Sequence, residues 1–239
     1  MDDSEINSEY YYKNHLLTTV KEDGKPYLLF GIPYNSDRGA NIYSFTGKEN
    51  IKTVRLNIQK KNFDIQEIRF NKYKKKSQSE LDRIYKERKE IVDAKKTKYD
   101  SYPDYNFIIP VDGIVTGVYG TQRYYNGKKG NYHNGHDIAA DTGAPIYAPS
   151  DGKVMLTGHY YYNGKFVMMN HGNNLISMFL HMDDILVAKG SIVKKGQVIG
   201  SVGNTGLSTG PHLHWSVLLN NHYVDPLALV NKVKVKLDN

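Results

Sequence analysis

The hydrophobic rhythm of this chain changes twice along its length, and each change predicts a different kind of structure. Residues 1–15 are polar and predict a flexible lead-in. From Tyr27-Leu28-Leu29-Phe30-Gly31-Ile32 to Ile65-Gln66-Glu67-Ile68-Arg69-Phe70, short apolar and alternating runs are broken by turn-like Asn35-Ser36-Asp37-Arg38-Gly39 and Thr46-Gly47-Lys48. Short β-strands fit this pattern, so a β-rich unit is expected over 16–78. The period then lengthens. Leu81, Ile84, Tyr85, Ile91 and Val92 recur at helical spacing with Lys, Arg and Glu between them, which predicts a helix over 79–98. Ser79 and Asp82 fill its capping-box positions, Asp standing in for the longer Glu. Thr97 to Asp104 has the composition of a linker, so 79–104 is expected to be helix and linker.

From Phe107 onward the texture is short Val/Ile/Tyr runs punctuated by Gly, with no helical period. Val111–Val115, Gly152–Leu156, Phe166–Met169 and Leu213–Leu218 read as strands, and the dense turn signals between them indicate an antiparallel all-β arrangement. Ser191 to Gly200 reads as a tight β-turn unit. The expected fold is mainly β with minor α: an antiparallel sheet domain over 105–239, preceded by a smaller β-rich domain and a connecting helix.

Composition narrows the picture only a little. No run of ~18 apolar residues is present to span a membrane as a helix. The absence of cysteine excludes disulfides and thiolate metal sites. The net charge of +7 suits a polyanionic environment such as a cell envelope or nucleic acid, as it does a plain solvated surface. Much of the excess lies in Lys72-Tyr73-Lys74-Lys75-Lys76 and the helix after it, where a solvated face is the better reading. The 20 tyrosines suit β-sheet as well as sugar stacking.

The histidines carry the chemistry. His212 and His214 are two apart, so a strand directs both imidazoles to one face. Far upstream, His133 precedes Asp137 by four. A catalytic zinc needs three N or O ligands and an open fourth position, a set that two His and one Asp supply. No His-Glu-x-x-His helix occurs, so a glutamate-base metalloprotease is excluded. The glycine-rich Gly203-Asn204-Thr205-Gly206-Leu207-Ser208-Thr209-Gly210 lacks the Gly-Lys-Ser/Thr of a phosphate loop and leads into the His-x-His strand, so it is expected to wall a cleft.

His133 to Pro149, Asp151-Gly152-Lys153-Val154, Asn170-His171-Gly172, Phe179-Leu180-His181, Lys195 to Gly200 and Val202 to His214 follow in an order and spacing that closely resemble the lysostaphin-like (LytM-type) zinc metallopeptidases. That family cuts the peptide part of peptidoglycan. The resemblance covers residues 107–230 and implies a LytM-type antiparallel β peptidase domain binding Zn2+ through His133, Asp137 and His214. It implies His181 and His212 as the catalytic proton handlers, a task within the range of imidazole. His136 is expected to be structural, and His171 to sit in a turn. Among Tyr160, Tyr161 and Tyr162 the resemblance puts one over the substrate, with Tyr161 the choice. Arg123 matches an arginine at the groove entrance and is expected to meet a substrate carboxylate.

The implied function is a zinc endopeptidase acting on peptidoglycan cross-links. Glycyl bridges and the direct D-Ala–meso-diaminopimelate link are both handled within the family. Gly31-Ile32-Pro33, the helix, and Asn163-Gly164 look more like Gram-negative envelope members, which favours the direct link. A stem-peptide carboxypeptidase and a non-catalytic, amidase-regulating domain are the alternatives; the intact ligand and proton-handling positions argue against the second. Peptidoglycan is the expected partner, and nucleic acid is not one. Met1-Asp2-Asp3-Ser4-Glu5 lacks the features of an export signal. A cell-wall enzyme must reach the periplasm or envelope, so a signal or membrane anchor ahead of this sequence, removed from it, is expected.

Overall fold

The computed structural model describes residues 11–12, 15–16, 18–22, 25–29, 31–32, 34, 36, 39–46, 51–59, 62–69, 76–101 and 104–230. Most of the expected lead-in, the lysine run up to 75 and Tyr102-Pro103 of the linker lie outside them. The strands before the helix are β1 (Tyr11–Tyr12), β2 (His15–Leu16), β3 (Thr18–Glu22), β4 (Lys25–Leu29), β5 (Gly39–Thr46), β6 (Ile51–Ile58) and β7 (Ile65–Ile68). Helix α1 (Gln78–Lys95) follows. Then come β8 (Ile114–Gly117), β9 (Gln122–Tyr125), β10 (Lys128–Tyr132), β11 (His136–Ala139), β12 (Pro145–Tyr147) and β13 (Gly152–Tyr160). The chain continues through β14 (Gly164–Gly172), β15 (Leu175–Ile185), β16 (Ile192–Val193), β17 (Val198–Val202), β18 (His212–Leu219), β19 (His222–Val224) and the short α2 (Leu227–Val230).

A ten-stranded sheet in the order β16-β13-β14-β15-β18-β11-β8, with β12, β17 and β19 attached, forms the body. Its pairings are antiparallel, as the turn-rich sequence predicts. The apolar runs are continuous because both faces of the central strands are covered. Along β14, Val167 and Met169 join one core with Phe107, Phe179, Leu213 and Trp215. Phe166 and Met168 join a second, with Met155, Tyr160, Ile176 and Leu218. Period-two alternation sorts neighbours to opposite faces.

Contacts cross the boundary expected near residue 104. Ile91 and Ala94 of α1 pack on the second core. Strand β7 pairs in parallel with β9 in a three-stranded sheet, order β10-β9-β7. Two local expectations need correction. Residues 11, 12 and 15, expected in the lead-in, lie in β1 and β2, and β1 pairs with β5, where Tyr11 meets Thr46. The helix cap is Ser77, not Ser79: Ser77 Oγ accepts from Glu80 N–H, and Glu80 reaches back to the Ser77 amide at 2.7 Å. The longer Glu completes that reciprocal pair, while Asp82 accepts instead from Gln78 Nε2 at 2.8 Å.

Candidate active site

Strand register assembles the first half of the site. In β18 the odd positions Leu213, Trp215 and Val217 enter the first core, so His212 and His214 share the opposite face. Asp137 of β11 lies directly across from His214, and side chains facing each other across an antiparallel pair lie on one side of the sheet. His133, just before β11, is anchored by mutual backbone bonds: its N–H donates to Thr121 O at 2.7 Å, and its carbonyl accepts from Gly120 N–H at 2.8 Å.

The donor atoms converge. His133 Nε2 lies 3.0 Å from both Asp137 Oδ1 and His214 Nδ1. His214 Nδ1 is 2.7 Å from the same carboxylate oxygen. His133 Nδ1 donates to Val118 O at 3.0 Å, and a carbonyl only accepts, so in the neutral ring Nε2 is itself an acceptor. It then faces the Asp137 carboxylate oxygen, also an acceptor. A cation coordinated by both removes that repulsion, and a second partner fixing the tautomer is the usual support of a metal-ligating histidine. These three are a group able to hold a metal ion. Burial pushes the Asp137 carboxyl up, but the adjoining His133 and His214 rings outweigh it and hold it well below the carboxylate range. Burial likewise pushes His214 down, against the opposing pull of Asp137. Anionic oxygen and neutral imidazole are the forms that bind metal.

Irregular backbone assembles the second half. Between Val167↔Phe179 and Lys165↔Met182 strand β15 carries one residue more than β14. His181 lies in this bulge at φ +65°, a left-handed conformation that a non-glycine residue keeps only where its surroundings fix it. Its N–H donates to Asn163 O at 2.9 Å and its Nδ1 to Thr205 O at 2.8 Å. That leaves Nε2 free to point at the site. Burial pushes the His181 imidazole down to about 4. His212 is fixed in the same sense, its Nδ1 2.8 Å from Gly210 O. Its Nε2 lies 3.8 Å from Asp137 Oδ1. The His181 and His212 ring centres are 4.8 Å apart.

Two cavities, of about 230 and 550 Å³, share Arg123, Tyr125, His181, Leu207 and His214, and so form two lobes of one groove. Leu207 and Ser208 of the glycine-rich loop line it, as does β7 through Gln66 and Ile68. Five of the expected residues, His133, Asp137, His181, His212 and His214, thus meet at one place. The other two are placed differently. Arg123 donates to Asp137 Oδ2 at 2.5 Å and to Gln66 Oε1 at 3.0 Å. It is at the groove, but its guanidinium engages the carboxylate of the site itself. Tyr161 turns towards α1, its hydroxyl 3.5 Å from Glu80 Oε1 and its N–H on Glu87 Oε2 at 2.8 Å; of the three adjacent tyrosines Tyr162 lines the groove, with Tyr125 and Tyr132. His136 faces away, with Nε2 2.7 Å from Asp225 Oδ1. His171 is in strand β14, not a turn, buried between Asp151 O and Ser177 Oγ.

The profile of peptidase family M23 matches residues 131–226, which carry every one of these histidines. A Pseudomonas aeruginosa protein solved as a candidate M23 peptidase is 31% identical over 96% of this chain and 91% of that one, with a TM-score of 0.77. The chain belongs to peptidase family M23. The peptidoglycan DD-endopeptidase ShyB of Vibrio cholerae is 45% identical to it over 95 residues, 40% of this chain and 22% of that protein. The DD-carboxypeptidase/endopeptidase Mpg of Neisseria meningitidis is 39% identical over 97 residues, 41% and 22% of the two. The match thus spans about a fifth of the length of these curated relatives.

Sequence reasoning missed three supports of this M23 site. Gly117 of β8 lies so near Asp137 that a Cβ there would be 2.5 Å from Oδ2. Thr205 holds His181 through its carbonyl and, through its hydroxyl, bonds Lys165 N–H and Met182 O. Gln66 braces Arg123 from β7. Gly117 and Gln66 act across strand pairings distant in sequence, and Thr205, though inside the glycine-rich motif, acts through a loop contact to β14 and β15 that its sequence does not mark.

Proposed function

We propose that this chain is a zinc-dependent endopeptidase that hydrolyses peptide cross-links of peptidoglycan, and that it acts outside the cytoplasm. The observation that carries the reading is the convergence of three metal donors with two further imidazoles on an open groove. His133, Asp137 and His214 would hold the zinc; their two nitrogens and one carboxylate oxygen are a donor set that such sites use. Bound there, zinc polarises a carbonyl and lowers the pKa of a water towards ~7. His181 and His212 do the proton work. With Nδ1 of each tied to a backbone carbonyl, each keeps an Nε2 lone pair towards the groove, ready to take a proton from water and return it to the leaving amine. Arg123 orients Asp137, and Tyr162 in the groove wall is positioned to contact the peptide.

The likeness to a DD-endopeptidase supports the D-Ala–meso-diaminopimelate link as the bond cut. Trimming of stem peptides is the second reading, favoured by the likeness to a DD-carboxypeptidase/endopeptidase. Digestion of purified, cross-linked peptidoglycan followed by mass spectrometry tests both. Cross-linked dimers should become monomers, and a chelator should stop the conversion. Release of terminal D-Ala without loss of dimers would replace the first reading by the second, and no product from zinc-loaded protein would overturn both.

A further inference from the structure

The wall of the groove beside His181 is held from a helix that lies outside the segment matched by the M23 profile. Tyr160-Tyr161-Tyr162-Asn163-Gly164 connects β13 to β14. On the inner side of this turn, Asn163 O accepts the His181 N–H at 2.9 Å, and Tyr162 O accepts from Leu207 N–H at 2.9 Å. On the outer side α1 grips it through side chains. Glu87 Oε2 accepts the Tyr161 N–H at 2.8 Å, and Glu90 accepts the Tyr160 hydroxyl. Arg83 donates to Glu87 Oε1 at 2.6 Å and to His159 O at 2.9 Å.

These are not the contacts of a solvated helix face. The Glu87 side chain is only 13% exposed, against 49% for its partner Arg83. One of its oxygens meets the arginine and the other a backbone amide, and such charge-assisted bonds are stronger than neutral ones. The turn has little freedom elsewhere. Gly164 at φ +63° is packed so closely on Thr205 that a Cβ would lie 2.3 Å from Oγ1. His181, at φ +65°, depends on the turn for the partner of its amide.

We propose that Glu87 is a positioning residue for His181. By fixing the Tyr161 amide it fixes Asn163 O two residues on, and so the left-handed backbone that aims the His181 imidazole into the groove. The proposal rests on the role given to His181 in peptide hydrolysis. It makes α1 part of the working enzyme, where the sequence shows only a charged amphipathic helix. A helix serving only to cover the second core would need Ile91 and Ala94 and be indifferent to Glu87.

The test compares the zinc-loaded full chain with its Glu87→Ala and Glu87→Gln variants. Amide hydrogen exchange is read by NMR, and kcat and KM are measured on a purified cross-linked muropeptide. In E87A the Tyr161 and His181 amides should exchange about 10-fold faster or more, with those of His214 and Trp215 unchanged. The kcat should fall roughly 10- to 100-fold, by more than KM rises, at unchanged zinc content. E87Q keeps an acceptor oxygen and should restore both readouts towards wild type. Unchanged His181 exchange in E87A overturns the proposal, as does an E87Q loss equal to that of E87A. Faster exchange spread evenly over the whole sheet would also overturn it, by reducing Glu87 to general support. A wild-type chain inert on the muropeptide would refute the hydrolase reading alone, because the exchange comparison still decides whether Glu87 holds His181.

Discussion

The two halves of the site are built by opposite means. The proposed metal donors His133, Asp137 and His214 rest mainly on strand register: a cross-strand pair at Asp137↔His214, with a bulge only on the β8 side of Asp137, and a preceding residue held by the Thr121 and Gly120 backbone. His181 and His212 rest on departures from it: a bulge at φ +65°, and a strand end bonded to Gly210 of the glycine-rich loop. A ladder register is specified many times over along a strand, because a slip of one residue would turn every apolar side chain out of the core. A bulge is specified only where neighbours hold it. The donor half should therefore tolerate remote change better than the proton-handling half, and substitutions can separate the two.

The largest effect expected from breaking only the second half is on rate. His181→Ala and His212→Ala should each lower kcat by about 10²–10⁴-fold, the usual range for a general acid or base, with zinc still bound. Near wild-type hydrolysis by both variants would remove their assigned roles. A smaller effect should follow from disturbing the first half indirectly. Gly117→Ala puts a methyl against Asp137 Oδ2, so zinc affinity measured by competition with a chelator should fall roughly 10- to 100-fold, the range for support around metal ligands. Unaltered affinity would mean that Asp137 can move without consequence.

The smallest effect concerns the core shared by both halves. Burial pushes His171 down to about 4 from its ordinary 6.5. As pH falls below 6.5 the unfolded chain takes up this proton before the folded chain does. The stability tied to neutral His171 is thus complete above 6.5 and lost progressively towards 4. Melting temperature followed across that range should drop, and His171→Asn should flatten the part of the slope due to this residue. An equal slope in the variant would assign the pH response to other groups.

The same contrast explains what the sequence made legible. The antiparallel β texture and the His-x-His face follow from period-two alternation, which is local in sequence, whereas the grouping of distant His133 and Asp137 with His214 was implied only by the family resemblance and the needs of a metal site. Which of the three adjacent tyrosines reaches the groove did not follow. Three adjacent tyrosines look alike until α1 takes Tyr160 and Tyr161 through Glu90 and Glu87, leaving Tyr162 for the groove. Arg123 was legible as a groove residue but not as a partner of Asp137, because that contact joins β9 of the three-stranded sheet to β11 of the large sheet, a tertiary approach no local pattern marks. The helix cap moved two residues for a smaller reason, the reach of Glu80 against that of Asp82.

The central claim is that three side chains hold zinc while two others move protons, and the zinc content of three purified proteins tests it most directly. Elemental analysis of the wild type, His214→Ala and His181→Ala, after identical loading and desalting, should give one zinc per chain, none, and one. A His214→Ala protein that keeps its full zinc, or a His181→Ala protein that loses it, would contradict the division of the site on which the account rests.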